Sequence, residues 1–471
     1  YDGFVGFSNA TDFYEMMNAQ EYVDFKNLAV KNRYGTDELS LTTGYVSPYG
    51  NKAFNMMKDA NGKYVDTDWK DAAFQNGLSQ SHSVAVSGGS DKVRYYLSGN
   101  YTTQEGIVKG DKYDRLGVKA NINVQATDWL KVGMNTNVTT GTTSYVDAAR
   151  RGSNFAVGGF PRLALINAPN LPMYNEDGTP YYLAQGLGYG GNTVFSTFSN
   201  PAAILSLGNG LSSDVTRFIG VFYAEATPLK GLSLKTQYGV DYARIEEQRF
   251  WSPLHGSKGL ANAYNTKNNR WTWTNTATYN FSLGQNNFNL LAGTEASERN
   301  NSRWTAQRKD LQDDKFVVFQ GPFGSATAGG SLSNNTMVSY FGRINYDYAS
   351  KYIVSLNYRR DGYSALSEKN RWGNFGGVSA AWRVSEEGFF KPLRNVVDDL
   401  KIKGSYGVVG NTDIYDYASK SFYSSYNYGI NGTYGLAQIA DPNLKWESSE
   451  KYSIGFNARL LDRISVDFDY Y

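Results

Sequence analysis

The stretch VSGGSDKVRYYLSGNYTTQEGIV, residues 86–108, decides how the rest of the chain is read. After the turn-forming Gly88-Gly89-Ser90-Asp91, every second residue is apolar or small: Val93, Tyr95, Leu97, Gly99 and Tyr101. Between them stand Arg94, Tyr96, Ser98, Asn100 and Thr102. Successive side chains of a strand point to opposite faces, so this strand is dry on one face and wet on the other. What the dry face meets determines the fold.

The pattern recurs. In 113–126, Leu116, Val118, Ala120, Ile122, Val124 and Ala126 alternate with Arg115, Lys119, Asn121, Asn123 and Gln125. In 130–140, Leu130, Val132, Met134 and Val138 oppose Lys131, Asn135 and Asn137. The same alternation predicts about 15 strands, near 1–8, 81–88, 92–103, 113–126, 129–143, 214–227, 231–247, 269–283, 286–303, 336–349, 351–361, 373–385, 399–409, 447–460 and 463–471. Six pairs of charges, each within one strand, share a parity: Arg115 with Lys119, Arg217 with Glu225, Lys235 with Asp241, Arg343 with Asp347, Lys401 with Lys403, Asp467 with Asp469. Random parity would produce all six coincidences about once in 64 trials.

Composition agrees with an all-β chain. Of 471 residues, 37 are Tyr and 49 are Gly, but only 11 are Pro. The 46 basic and 44 acidic residues nearly balance, so no nucleic-acid partner is expected. There are no cysteines, which excludes disulfides and thiolate metal sites. No apolar run is long enough for a membrane helix, and barrel strands leave no such run. The chain begins at Tyr1 and ends at Tyr471 within a strand pattern, as expected of a piece of a longer protein.

Loop length sorts by end. Short connections fall at 88–92, 127–129, 228–231, 284–287, 349–351 and 461–463, with 386–398 a longer member of that class. Long ones fall at 9–80, 144–213, 248–268, 304–335 and 410–446. Outer-membrane barrels segregate their loops in this way, with short periplasmic turns and long extracellular loops. The first long connection is expected to hold two helices. One is capped by Asn9 or Thr11, with a stripe of Phe13, Met16, Met17, Tyr22, Phe25 and Leu28, and the other lies at 66–74.

Width then orients the faces. About 8 strands make a barrel that side chains can fill, and 15 or more do not. An apolar interior would line a wet hole, so the apolar face must point outward to lipid. Arg94, Arg115, Lys119, Lys131, Arg343, Arg359 and Arg459 are then expected to face a lumen. Trp129, Trp271, Trp273, Tyr348, Tyr352, Trp372 and Trp382 sit near predicted strand ends, where aromatic girdles belong. The fold class is an antiparallel up-and-down transmembrane β-barrel.

Four segments carry a resemblance: VSGGSDKVRYYLSGNYTTQEGIVKG, NRWGNFGGVSAAWRVSEEGFF, LKIKGSYGVVGNTDI and DPNLKWESSEKYSIGFNARLLDRISVDFDYY. They resemble the barrel of SusC/RagA-type TonB-linked outer-membrane proteins of Bacteroidota, and YDGFVGFSN is similar to that barrel's first strand. The resemblance implies a barrel of roughly 22 strands filled by an N-terminal plug, coupling to TonB, and a SusD/RagB-like surface lipoprotein as a lid. It implies import of oligosaccharides or, in some members, peptides. Residues 1–471 are expected to form part of one barrel domain, with a strand near 1–8, a helical extracellular insertion at 9–80 and the remaining strands over 81–471. The plug, the TonB box and the last strands are expected to lie outside this piece.

No catalytic, cofactor or metal site is expected. His82 and His255 lack evident partners, and no phosphate-binding GxxxxGK[ST] follows the Gly-rich VSGG or GYGGN. Asp361 and Glu368 are not placed together by any pattern, and NEDGTPYY at 175–182 reads as a turn. For a glycan, loop aromatics are the candidate contacts: Trp251, Trp304, Tyr181, Tyr182, Tyr423 and Tyr426. Against the importer stand two other readings, an adhesin on a barrel scaffold and a barrel enzyme.

Overall fold

The computed structural model describes residues 1–11, 14–38, 52–59, 61–146, 160–181, 200–206, 208, 210–252, 259–313 and 318–471. Its strands are β1 (Asp2–Ser8), β2 (Gly77–Gly89), β3 (Val93–Glu105), β4 (Lys112–Thr127), β5 (Leu130–Tyr145), β6 (Gly210–Leu229), β7 (Leu232–Trp251), β8 (Leu260–Leu283) and β9 (Asn286–Leu311). They continue as β10 (Phe323–Tyr348), β11 (Tyr352–Tyr363), β12 (Trp372–Arg383), β13 (Val397–Asn411), β14 (Phe422–Tyr428), β15 (Asn431–Gln438), β16 (Glu447–Leu460) and β17 (Ile464–Tyr470). Fifteen of them form one sheet in chain order, while β14 and β15 form a separate hairpin. All neighbours are antiparallel, and the sheet is open, with β1 and β17 at its edges.

The register places the alternation on two continuous faces. Tyr95, Leu97 and Tyr101 of β3 stand opposite Ile122, Ala120 and Leu116 of β4, and Val118 stands opposite Val138 of β5. This apolar face is bare: Leu116 is 51% and Val118 54% exposed. The exposure continues through Phe222, Tyr238, Ile344, Leu356, Val378, Ile402, Ile454 and Phe468. A water-soluble protein rarely shows an apolar patch beyond a few hundred Å². A sheet-wide apolar face needs hydrocarbon as its neighbour.

Aromatic contacts mark the two borders of that face. Near the short-turn end, Tyr279 stacks on Phe281 at 5.1 Å, Phe281 on Phe288 at 4.8 Å, and Phe288 meets Tyr346 at 5.1 Å. Toward the other end, Tyr238 stacks on Trp271 and Tyr340 on Trp372, each at 6.1 Å. From Trp271 to Phe281 runs about 33 Å of strand, and a tilt of about 40° turns that into a band roughly 25 Å tall. Just beyond the lower border, Glu387 accepts from the Tyr352 hydroxyl at 2.7 Å, the Trp382 indole at 3.2 Å and Lys351 at 3.4 Å. The Tyr352 hydrogen bond, followed by that of Trp382, holds the Glu387 carboxyl below the ordinary carboxylate range.

The turns at this end are tight. Ala349 and Ser350 have φ of 52° and 57°, and Leu461 and Asp462 have 52° and 55°. Two consecutive positive φ values are the geometry that matches a hairpin's twist. Local bonds hold it: Asp347 Oδ1 accepts from the Ser350 amide at 3.2 Å, and Asp398 from the Asp462 amide at 2.5 Å.

Two expected long connections are mostly strand. Residues 260–268, 304–311 and 323–335, read as loop, belong to β8, β9 and β10. Trp271 and Trp273 are therefore mid-strand, and the wall continues above them. The ladder there is regular, from Leu260↔Lys309 and Phe323↔Leu311 downward. Alternation fades because burial there does not follow parity: Leu260, Ala261, Asn262 and Asn265 of β8 are buried, while 324–332 of β10 are exposed on both faces, and the hydrogen bonds persist.

Among the described residues the most extensive dry core lies off the sheet, on the long-loop side. Met57, Val65, Trp69, Ala72, Ala73, Phe160, Leu163, Ala168, Leu171, Tyr181 and Ile204 pack together. They come from the two longest connections, with α2 (Lys70–Ala73), α3 (Phe160–Ile166) and α4 (Pro201–Ser206) among them, and α1 (Ala19–Tyr34) packs Tyr22 against the cluster. The first helix starts later than expected. Asn18 and Glu21 form a capping box, with Asn18 Oδ1 accepting from the Glu21 amide at 2.9 Å and Glu21 from the Asn18 amide at 3.0 Å. Its buried face is Ala19, Val23 and Asn27, whereas Met16, Met17, Phe25 and Leu28 of the expected stripe are exposed. Asn27 fixes that face by exchanging two 2.9 Å hydrogen bonds with the Phe54 backbone.

Candidate binding wall on the polar face

The polar parity forms the second face. Arg94 stands opposite Asn123, Arg115 opposite Gly141, Lys119 opposite Asn137, and Lys131 opposite both Gln125 and Glu225. The row continues through Arg343↔Asn357, Arg359↔Phe375 and Asp399↔Arg459. All seven basic residues singled out in the sequence share this face.

Strand pairing joins several of them into networks. Tyr223 lies between Lys131 and Lys235, whose ammonium groups stand 6.0 and 5.0 Å from its ring, and its hydroxyl bonds to Asn123. Arg217 grips Asp241 with both prongs, at 2.9 and 2.6 Å. The densest network is centred on Arg359. Its Nε donates to Asp361 at 2.6 Å, and its Nη2 to Ser339 at 2.7 Å and Glu295 at 3.1 Å. Its guanidinium also covers the Phe341 ring at 5.3 Å. Ser339 is 0% and Asp361 7% exposed, whereas the side chains of Arg359 and Glu295 keep 37% and 29%, so a buried carboxylate sits beneath a half-exposed guanidinium. Asp361 is thus the ion partner of Arg359.

An expected result follows from that burial. Arg359→Met leaves Asp361 and Glu295 without their shared cation and should lower the barrel's unfolding free energy by about 2 kcal/mol. Arg359→Lys should recover only part, because an ammonium cannot fork. Urea midpoints of the full-length protein read both.

The loop aromatics divide. Tyr181 is 7% exposed inside the extracellular core, and Trp251 is 8% exposed at the end of β7 with Arg249 stacked on it at 4.9 Å. Neither presents a free ring, because packing between distant segments covers both. Trp304 is not in a loop: it lies in β9, paired with Asn265 and Gly330 on the apolar parity above the aromatic border. Tyr182 and His255 lie outside the described residues. Tyr423 and Tyr426 are exposed on the β14–β15 hairpin, but on opposite faces. Tyr434 shares the Tyr423 face and Tyr428 shares the Tyr426 face, two exposed rings that spacing alone did not single out.

The hairpin stands on a fixed base. Gln438 Nε2 donates to the carbonyls of Lys420 at 2.7 Å and Tyr417 at 3.2 Å, and the Asn334 amide donates to the Tyr417 hydroxyl at 2.8 Å. Below it, Tyr363, Ala365 and Leu366 pack with Ile414, Leu444 and Trp446, and the Trp446 indole donates to the Arg371 carbonyl at 2.9 Å.

Other candidates resolve as structure. His82 Nδ1 lies 2.8 Å from the Tyr1 hydroxyl on β2. Residues 175–180 form a turn in which Asp177 Oδ1 accepts from the Thr179 hydroxyl at 2.5 Å and its amide at 2.9 Å. Those bonds, the hydroxyl first, hold the Asp177 carboxyl below its usual range. Among the described residues no group of three His, Asp or Glu is placed to hold a metal ion. A cleft of about 770 Å³, lined by Ala224, Ala226, Ala277, Ala292 and Tyr340, opens on the apolar face.

A family described as "TonB dependent receptor-like, beta-barrel" matches residues 164–471. The chain belongs to this family. TonB-dependent receptor P3 of Formosa agariphila is 31% identical over 420 residues, which cover 86% of this chain and 41% of that protein. TonB-dependent receptor SusC of Bacteroides thetaiotaomicron is 29% identical over 518 residues, covering 100% of this chain and 46% of that protein. The chain therefore spans less than half the length of these curated relatives. The RagAB peptide importer in its "closed-closed" state superposes with a TM-score of 0.76 at 24% identity, over 99% of this chain and 53% of that one. At that identity the likeness shows the fold. Membership of the SusC/RagA type, expected from the four quoted segments, holds, and with it an outer-membrane β-barrel.

Proposed function

We propose that this chain forms part of the wall of an outer-membrane importer for large nutrients, oligosaccharides foremost, energised through TonB and covered by a SusD/RagB-like surface lipoprotein. The reversal of the sheet's faces supports this reading most directly. An apolar face bare along 15 strands turns to lipid, and the charged, amide-rich face turns inward. Side chains do not fill a barrel much wider than about 8 strands, so that inner face lines a passage. Arg94, Arg115, Lys119, Lys131, Arg343, Arg359 and Arg459 are lumen-facing in this reading. The sheet is one stretch of a single barrel domain of roughly 22 strands, and the greater length of the relatives leaves room for the remaining strands and a plug.

The hairpin tyrosines supply stacking surfaces for sugar rings at the mouth. In cells making the full-length protein, Tyr426→Ala combined with Tyr428→Ala should reduce uptake of a labelled oligosaccharide by about tenfold, at roughly 0.5–1.5 kcal/mol per aromatic contact. Unchanged uptake removes the hairpin from the route. A second reading, peptide import, is favoured by the likeness to the RagAB peptide importer. Uptake of labelled peptides but not oligosaccharides through the same protein would put that reading first.

A further inference from the structure

Arg270 of β8 stands directly opposite Arg299 of β9 on the polar face. Like charges opposite one another destabilise a sheet. Among the described residues neither guanidinium makes a hydrogen bond or ion pair. The nearby carboxylates are already engaged. Asp241, across from Arg270 on β7, is held at both oxygens by Arg217. Glu295 is held by Arg359 at 3.1 Å and by the Thr274 hydroxyl at 3.1 Å. Asp416, from the 412–446 connection, accepts from Asn335, the residue opposite Arg299, at 2.5 Å and does not pair with the arginine.

The pair lines a cleft of about 410 Å³ with Arg217, Asp241, Asn268 and Asn301. Three guanidiniums there meet one carboxylate. Asn301 adds a second observation: its Oδ1 is buried without a hydrogen-bond donor, although its Nδ2 reaches Ser333 at 3.5 Å. The cleft thus lacks anionic oxygens for its arginines and a hydroxyl or amide proton for its amide. A sugar chain bearing carboxylate or sulfate groups supplies both. Guanidinium forks match these planar or trigonal oxyanions, and the bonds are charge-assisted.

We infer that Arg270 and Arg299 form an oxyanion site that selects acidic oligosaccharides during passage. This rests on the polar face being the lumen of an importer. The choice of a sugar chain over a peptide follows the proposed function, since the orphaned Asn301 oxygen accepts from a hydroxyl or an amide N–H alike.

The test is calorimetric titration of the purified full-length protein with two oligosaccharides of equal length, one neutral and one carrying uronate groups. The wild type should prefer the acidic chain by at least about tenfold, and the preference should shrink at high salt. Arg270→Gln with Arg299→Gln should abolish the preference, with the acidic chain losing at least about tenfold more affinity than the neutral one. The double variant's unfolding midpoint should stay level or rise, since a repulsion is relieved; a purely structural pair would lower it. Equal binding of both chains by the wild type, or a preference that survives in the variant, overturns the site. If neither oligosaccharide binds, the oligosaccharide reading fails separately. An acidic peptide is then titrated: binding lost in the variant upholds the oxyanion site, and binding retained overturns it.

Discussion

Replacing Val118 with Arg should stop the full-length protein from maturing in the outer membrane, reducing the assembled, heat-resistant form to below about a tenth of its normal level. Val118 lies near the middle of β4, opposite Gly99 and Val138, on the bare apolar face. An arginine at the bilayer midplane of a barrel costs roughly 2–4 kcal/mol. Marginal stability makes that a large share of what holds the fold. Asn121→Arg, three residues along the same strand, should assemble normally. Asn121 pairs with Tyr96 and Asn135 on the polar face, where a cation stays hydrated. Gel mobility of unheated and heated membranes reads both variants. Equal tolerance at the two positions would refute the outward assignment of the apolar face.

The second large effect concerns the extracellular core. Trp69 is 2% exposed, and its indole donates to the Ala168 carbonyl at 2.9 Å across 99 residues of sequence. Trp69→Ala removes its packing and orphans that carbonyl, at a cost of about 3–5 kcal/mol. The barrel itself should remain inserted, because its apolar face is stabilised by lipid and not by this core. The expected result is protease cleavage within 9–76 or 146–209 on intact cells, with the heat-resistant band preserved. Trp69→Phe keeps most of the buried area and loses one hydrogen bond, so it should cost only about 1–2 kcal/mol and resist cleavage. Loss of the barrel band in Trp69→Ala would show that the two parts fold as one unit.

These two residues also show what was legible in the sequence. Val118 was readable because lipid on one side and water on the other impose a period of two on every spanning strand. All 15 strands of the sheet were placed by that signal, from Asp2–Ser8 to Ile464–Tyr470. Where the two faces are alike the signal vanishes: LANAYNTKN at 260–268, buried on both faces at its start, and GSATAGGSLSNN at 324–335, largely exposed on both, passed for loop. The hairpin that carries Tyr423 and Tyr426 was hidden for the same reason. Trp69 was readable only as part of a short helix. Its burial depends on Ala168, Phe160 and Leu163, which no local pattern connects to it. Tyr181 and Trp251 were misjudged alike, since an aromatic in a long connection looks free until the connections are seen to pack on one another. The Arg270–Arg299 juxtaposition needed the register of β8 against β9.

The tall wall of β8, β9 and β10 has a consequence for how such a chain can diverge. Within the bilayer only the inward residue of each pair is free to drift, because its outward neighbour must stay apolar. Above the Trp271 and Tyr340 level the backbone ladder still supplies the hydrogen bonds, yet no solvent forbids a polar side chain on either face. Both parities are open to change at little cost to the scaffold over the exposed 324–332 of β10, whereas the buried Leu260, Ala261, Asn262 and Asn265 of β8 are held by packing. A rigid wall with such replaceable exposed positions is a place where new cargo preferences can be tried without risking the part that holds the protein in its membrane.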